Sequence, residues 1–297
     1  MQLLNGRRHA VRELAFSHCG RWLAACGSNG GLHVWDTANP TAKPLFPLRT
    51  DHIGALAFRS DGKLFFHIRY GRWFLYDPIT SDLSALEYEE LCYIVASPDA
   101  RHVVRVNTAP PIVTWGFTAD EKPTQQLSLN CSAINVTTAA FTTDGTRFAT
   151  VEWSWTPVKS SVAALVVRDT ATGEPVAALP DATGSTAQVA FSASGERAFA
   201  RWNATLACWS LTESDEPPRK VVSPSRRHFL AMAVHPQGPV LTVDNDRFVR
   251  VWGAPALTAE RTIEWNVGKL YAVAVSPDGT RAAVGSGTGK VLVWDWD

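Results

Sequence analysis

The sequence has no surplus of charge of either sign. Lys plus Arg and Asp plus Glu are 28 each, and charged residues make up only 19% of the chain. A nucleic-acid surface needs excess cations to displace counterions from phosphate, so the balance argues against that class. Arg7-Arg8 and Arg226-Arg227 are too short to alter it. Cysteine is equally sparse. Cys19, Cys26, Cys92, Cys131 and Cys208 are odd in number, and no two have the C-x-x-C spacing of a zinc site or redox pair. They read as buried small apolar residues in a reducing compartment. No apolar run approaches the roughly 18 residues of a membrane span. Arg7 and Arg8 stand where a signal peptide would carry its apolar core. Asn135-Val136-Thr137 and Asn203-Ala204-Thr205 fit the glycosylation pattern, but without a secretion signal they read as coincidence. The expectation is a cytoplasmic protein, monomeric alone, with no membrane insertion and no nucleic-acid partner.

Catalytic signatures are lacking too. The eight histidines are dispersed with no H-E-x-x-H, and no G-x-S-x-G nucleophile elbow occurs. Gly285–Lys290 (GSGTGK) lacks the phosphate-loop spacing and falls in an expected hairpin. Asp244-Asn245-Asp246 lacks the further acids of a calcium loop. No catalytic residue, metal or cofactor is expected.

What the chain does have is repetition. An apolar strand running into a polar turn recurs as LAFSHCG, LAFRSDG, IVASPDA, AAFTTDG, VAFSASG, MAVHPQG and VAVSPDG. Its third residues are Phe16, Phe58, Ala96, Phe141, Phe191, Val234 and Val275, spaced by 42, 38, 45, 50, 43 and 41. A second apolar strand follows at an offset of 18 or 19, ending in Trp35, Tyr76, Trp115, Trp209, Trp252 or Trp294. In the fourth repeat Arg168-Asp169 holds that place and the offset is 27, the extra residues lying in Glu152–Ser161.

Trp35-Asp36 and Trp294-Asp295, with Tyr76-Asp77 as a variant, make the chain resemble the WD-repeat family over residues 3–297. The resemblance implies an all-β fold: a single domain over 1–297, a seven-bladed β-propeller of four-stranded antiparallel blades. Residues 2–6 are expected to supply the outer strand of the last blade, closing the ring by pairing the N-terminal strand with the C-terminal blade. The family also implies a buried His–Thr–Asp–Trp network, which His228, Thr242, Asp246 and Trp252 match. Elsewhere the pattern is degraded, with Ala25 and Asn29 in the first repeat and Val284 and Thr288 in the last.

By the same resemblance the loop-rich rim of the channel is the binding surface. Arg8, Asp51, Arg69, Tyr70, Trp153, Trp155, Trp202, Arg227, Asn245 and Tyr271 fall in its loops, and aromatics and Arg are enriched at binding hot spots. Singly, each also fits an ordinary solvated loop residue. Trp153 and Trp155 alternate and so share a face; they serve either a partner or the blade that lost its aromatic. Thr212–Lys220 reads as an exposed outer connection. Two functions follow: a non-catalytic protein-interaction scaffold, or a propeller enzyme or small-ligand binder with its site at the channel mouth.

Overall fold

The computed structural model describes residues 1–5, 9–27, 31–39, 44–45, 53–68, 73–86, 93–97, 102–106, 112–117, 123–129, 135–155, 161–179, 188–213, 216–244 and 246–296. After β1 (Gln2–Asn5) come β2 (Val11–Phe16), β3 (Trp22–Gly27) and β4 (His33–Asp36). A second group is β5 (Ile53–Phe58), β6 (Leu64–Ile68), β7 (Trp73–Tyr76) and β8 (Leu83–Leu86). The third is β9 (Tyr93–Ala96), β10 (His102–Val106), β11 (Ile112–Phe117) and β12 (Pro123–Leu129). The fourth is β13 (Asn135–Phe141), β14 (Arg147–Trp155), β15 (Ser161–Asp169) and β16 (Pro175–Leu179). The fifth is β17 (Gln188–Phe191), β18 (Arg197–Trp202), β19 (Thr205–Ser210) and β20 (Arg219–Val222). The sixth is β21 (Ala231–Val234), β22 (Val240–Val243), β23 (Phe248–Gly253) and β24 (Thr258–Glu264). Last come β25 (Leu270–Val275), β26 (Arg281–Ser286) and β27 (Lys290–Asp295).

Each group is an antiparallel meander, and β1 lies outside β27, from Gln2 opposite Val293 to Asn5 opposite Lys290. Seven four-stranded blades are not what forms. Among the described residues, complete four-stranded blades number six, and the β2–β3–β4 sheet has three strands. Where its fourth strand would run, a single bridge joins Val34 to Leu45.

The hairpins explain why the sequence repeats. In the turn after the first strand, the hydroxyls of Ser17, Thr142, Ser192 and Ser276 accept from the amide five residues on, at 2.9–3.1 Å. The glycine closing that turn takes a left-handed φ of 69–73° at Gly20, Gly145, Gly195 and Gly279. The Asp after the third-strand aromatic caps the next turn. Asp36 accepts from the Ala38 amide at 2.9 Å, Asp77 from Ile79 at 2.8 Å and Asp169 from Thr172 at 2.9 Å. The Thr172 amide and hydroxyl hold the Asp169 carboxyl below its ordinary range.

The chain divides into two compact units. One holds Met1–Leu91, Phe229–Ala254 and Thr258–Asp297; the other holds Cys92–His228 and Pro255–Leu257. Within each unit the apolar cores lie between neighbouring sheets. The third-strand aromatic packs against the sheet before its own: Trp35 with Ala272 and Val293, Trp294 with Leu241 and Val251, Trp209 with Val151 and Leu165. Such a ring buries roughly 150–250 Å². Cys26 and Cys208 are buried, and burial pushes the Cys208 thiol up to about 11. Cys19, expected inside, is exposed because it sits at the tip of the β2–β3 turn.

Turns also lock sheet to sheet. His235, fully buried, contacts the Gly279 carbonyl of the next sheet through Nε2 at 2.8 Å and stacks on Trp296 at 4.7 Å. A methyl group on Gly279 would lie 2.9 Å from the His235 ring, on a backbone already at φ +73°. Gly279→Ala is therefore expected to cost about 2–3 kcal/mol in urea unfolding. Gly62→Ala, with φ +87° but open space around it, should cost only about 1 kcal/mol. Equal losses would mean that the turn-to-turn contact contributes nothing.

Candidate functional site

Arg8, Asp51, Arg69, Tyr70 and Asn245 lie outside the described residues. The backbone of Trp153 and Trp155 continues β14 opposite Ala163 and Ser161, so the Glu152–Ser161 insertion lengthens the β14–β15 hairpin. Trp202 is not a rim residue. It is 5% exposed, belongs to the core between two sheets and lies 6.0 Å from Trp209. The reason is local: Asn203, at φ +48°, and Ala204 close a two-residue turn that carries Trp202 into β18 opposite Thr205. Arg227 is exposed.

The four-residue network forms only in part. Trp252 Nε1 donates to Thr242 Oγ1 at 2.8 Å, with both side chains buried. His228 is exposed, so it is no part of a buried network. Asp246 accepts instead from the Phe248 amide at 2.8 Å and from Arg250 at 2.9 Å. Arg250 also donates to Asp244, which is wholly buried. In the other unit Ala200 stands at the place of Thr242, and Trp209 Nε1 is buried without a partner among the described residues. Thr242→Val should strand the Trp252 indole in the same way, lowering stability by about 1–2 kcal/mol in a urea titration. An unchanged midpoint would refute this.

Arg168, in the aromatic's place, is held by Glu152. Arg168 Nη2 lies 3.0 Å from Glu152 Oε1, which also accepts from Thr150 Oγ1 at 2.8 Å. An ion pair thus occupies the position that other blades fill with a ring.

Two groups at the start of β2 were not anticipated. Arg12, exposed, lies over the ring of Tyr271 on the adjoining sheet, 4.4 Å from its centroid. Glu13 follows at a bulge, where the equivalent strands carry Ala55 and Ala272. The residue as a whole is half-buried, but its carboxyl points inward. It faces the Cys26 thiol at 3.9 Å and accepts from the Leu56 amide of the next sheet. Burial pushes this carboxyl up to about 7, against the lowering pull of those two contacts. Burial likewise raises the Cys26 thiol well above its ordinary value. These buried acids sit on donors that hold sheets together. Among the described residues no three His, Cys, Asp or Glu side chains are grouped to hold a metal ion. No helix among them is long and apolar enough to cross a membrane.

Comparison with known proteins agrees with this architecture. The family model of the WD domain, G-beta repeat, matches residues 1–36 and 260–295. Among solved structures, the chain is similar to the β-propeller domain of Cps50 (Swd1) from Myceliophteria thermophila. The identity is 15% and the TM-score 0.78, and the match covers 99% of each chain. No curated protein matches. The chain thus carries WD-repeat matches over residues 1–36 and 260–295 and shares the fold of a WD-type β-propeller over its length.

Proposed function

We propose that the protein is a non-catalytic scaffold that binds partner proteins through the loop-rich face where its first strands begin. The observation that carries this reading is the Arg12–Tyr271 pair. The guanidinium is already stacked on the ring, so the pair offers two residue types favoured at hot spots with little side-chain freedom left to lose. Propellers of this family are typically interaction platforms. In this reading residues 1–297 act as one platform, monomeric alone and cytoplasmic. Trp153, Trp155, Arg227 and Tyr271 contribute to its contact surface.

Affinity capture from native cell extract, read by mass spectrometry, tests the proposal. The wild type should retain a specific protein set that Arg12→Ala/Tyr271→Ala loses, with Trp153→Ala/Trp155→Ala as the second variant. Recovering no specific protein, together with a metal or metabolite bound to the purified chain, would overturn it in favour of a small-ligand or enzyme site at the channel mouth.

A further inference from the structure

Residues 219–228, RKVVSPSRRH, carry four Lys or Arg and one His without a single acid, in a chain of zero net charge. All five are exposed: Arg219 and Lys220 on β20, and Arg226, Arg227 and His228 in the turn beyond it. The turn is built rather than loose. Ser223 is buried, and its amide donates to the Ala204 carbonyl at 2.8 Å. Its hydroxyl lies 2.9 Å from that of Ser225, which accepts from the Arg227 amide at 3.2 Å. The Arg226 amide donates to the Ser223 carbonyl at 2.8 Å. These bonds hold Arg226 at φ +54°, a left-handed conformation that a non-glycine residue adopts only when its surroundings impose it. Arg219 is engaged by Glu216 at 3.3 Å. Among the described residues no carboxylate pairs with Arg226.

We propose that this rigid basic turn is the docking site for an acidic segment of a protein partner. The inference rests on the scaffold reading and names the chemistry of what the scaffold binds. Guanidinium forks match carboxylates in a bidentate way, and a turn whose backbone is already fixed loses no loop entropy on binding. A duplex or an anionic membrane spreads its charge over a far wider surface. Here Glu213 and Glu216 precede the patch and would meet so wide a surface with repulsion. A short peptide with a few carboxylates can reach Arg226 and Arg227, ten or more residues beyond Glu216 and Glu213 in sequence at the far end of the patch, without spanning those acids.

The test is fluorescence anisotropy on the full chain with fluorescein-labelled hexaglutamate. Duplex DNA and phosphatidylserine vesicles serve as competing probes. Wild type should bind the peptide in preference to both, and less tightly as salt rises. Arg226→Glu/Arg227→Glu should weaken binding by about tenfold or more. Lys290→Glu, exposed on a different sheet, should leave it unchanged. Arg226→Gly removes one charge while suiting the left-handed turn. It should weaken binding with the melting temperature kept, separating charge loss from collapse of the loop. Equal peptide binding by wild type and the charge-reversed variant overturns the inference, as does preference for DNA or vesicles. In the capture experiment, partners kept by Arg226→Glu/Arg227→Glu would sink this site alone, whereas no captured partner would sink the scaffold reading itself.

Discussion

Arg250→Met is expected to lower the unfolding free energy by about 3–5 kcal/mol. The guanidinium bridges Asp244, which is wholly inaccessible to water, and Asp246 at 2.9 Å. Methionine keeps most of the stem's packing, so the loss would come from a buried carboxylate deprived of its guanidinium. Adding Asp244→Asn to that variant should recover much of the loss, because the double variant buries no charge. Urea unfolding of the two variants decides the matter. A single-variant loss below about 1 kcal/mol would mean that water reaches Asp244 once the arginine is gone.

Glu13→Gln should do the opposite, stabilising the protein at neutral and alkaline pH. The carboxyl is pushed up to about 7 in the fold, against an ordinary value of 4.5. Between those values the folded chain keeps a proton that the unfolded chain has released. The stability this group contributes is therefore full below about pH 4.5 and lost as pH rises through 7. The shift corresponds to about 2–3 kcal/mol after discounting for partial solvent access. Glutamine stays neutral at every pH and can still accept from Leu56. Wild type and variant should thus melt together at pH 4.5 and part steadily up to pH 8. Parallel melting curves across that range would show that the carboxyl finds water in the folded state.

The repeating strands were legible because two markers per repeat, such as Phe16 and Trp35, report turns and wedges that every blade needs. That six blades are complete among the described residues while the β2–β3–β4 sheet has three strands was not, since neither marker tracks the outermost strand. Trp202 was assigned to the rim because other repeats have longer second-to-third-strand loops. Asn203, a residue that tolerates left-handed backbone, marked the tight turn that drew it inward. His228 matched the family's position but is exposed, while His235, wholly buried, lies in a turn phrase usually filled by Ser or Thr. Arg168 showed that an aromatic was lost but not that Glu152, sixteen residues earlier, would replace its hold. Only strand register brings those two together. Glu13 could have been found: aligned against IGALAF, VRELAF places an acid where alanine belongs.

The strand at Gln2–Asn5 finds its mate only at Lys290–Val293. Closing a span of roughly 290 residues costs chain entropy that no local contact offsets in advance. The earlier segment must therefore wait for the later one, and the sheet they share is the natural candidate for the slowest assembly step. Until then both strands offer bare backbone edges to other chains, so crowding in the refolding mixture should favour exchange of this one segment between copies.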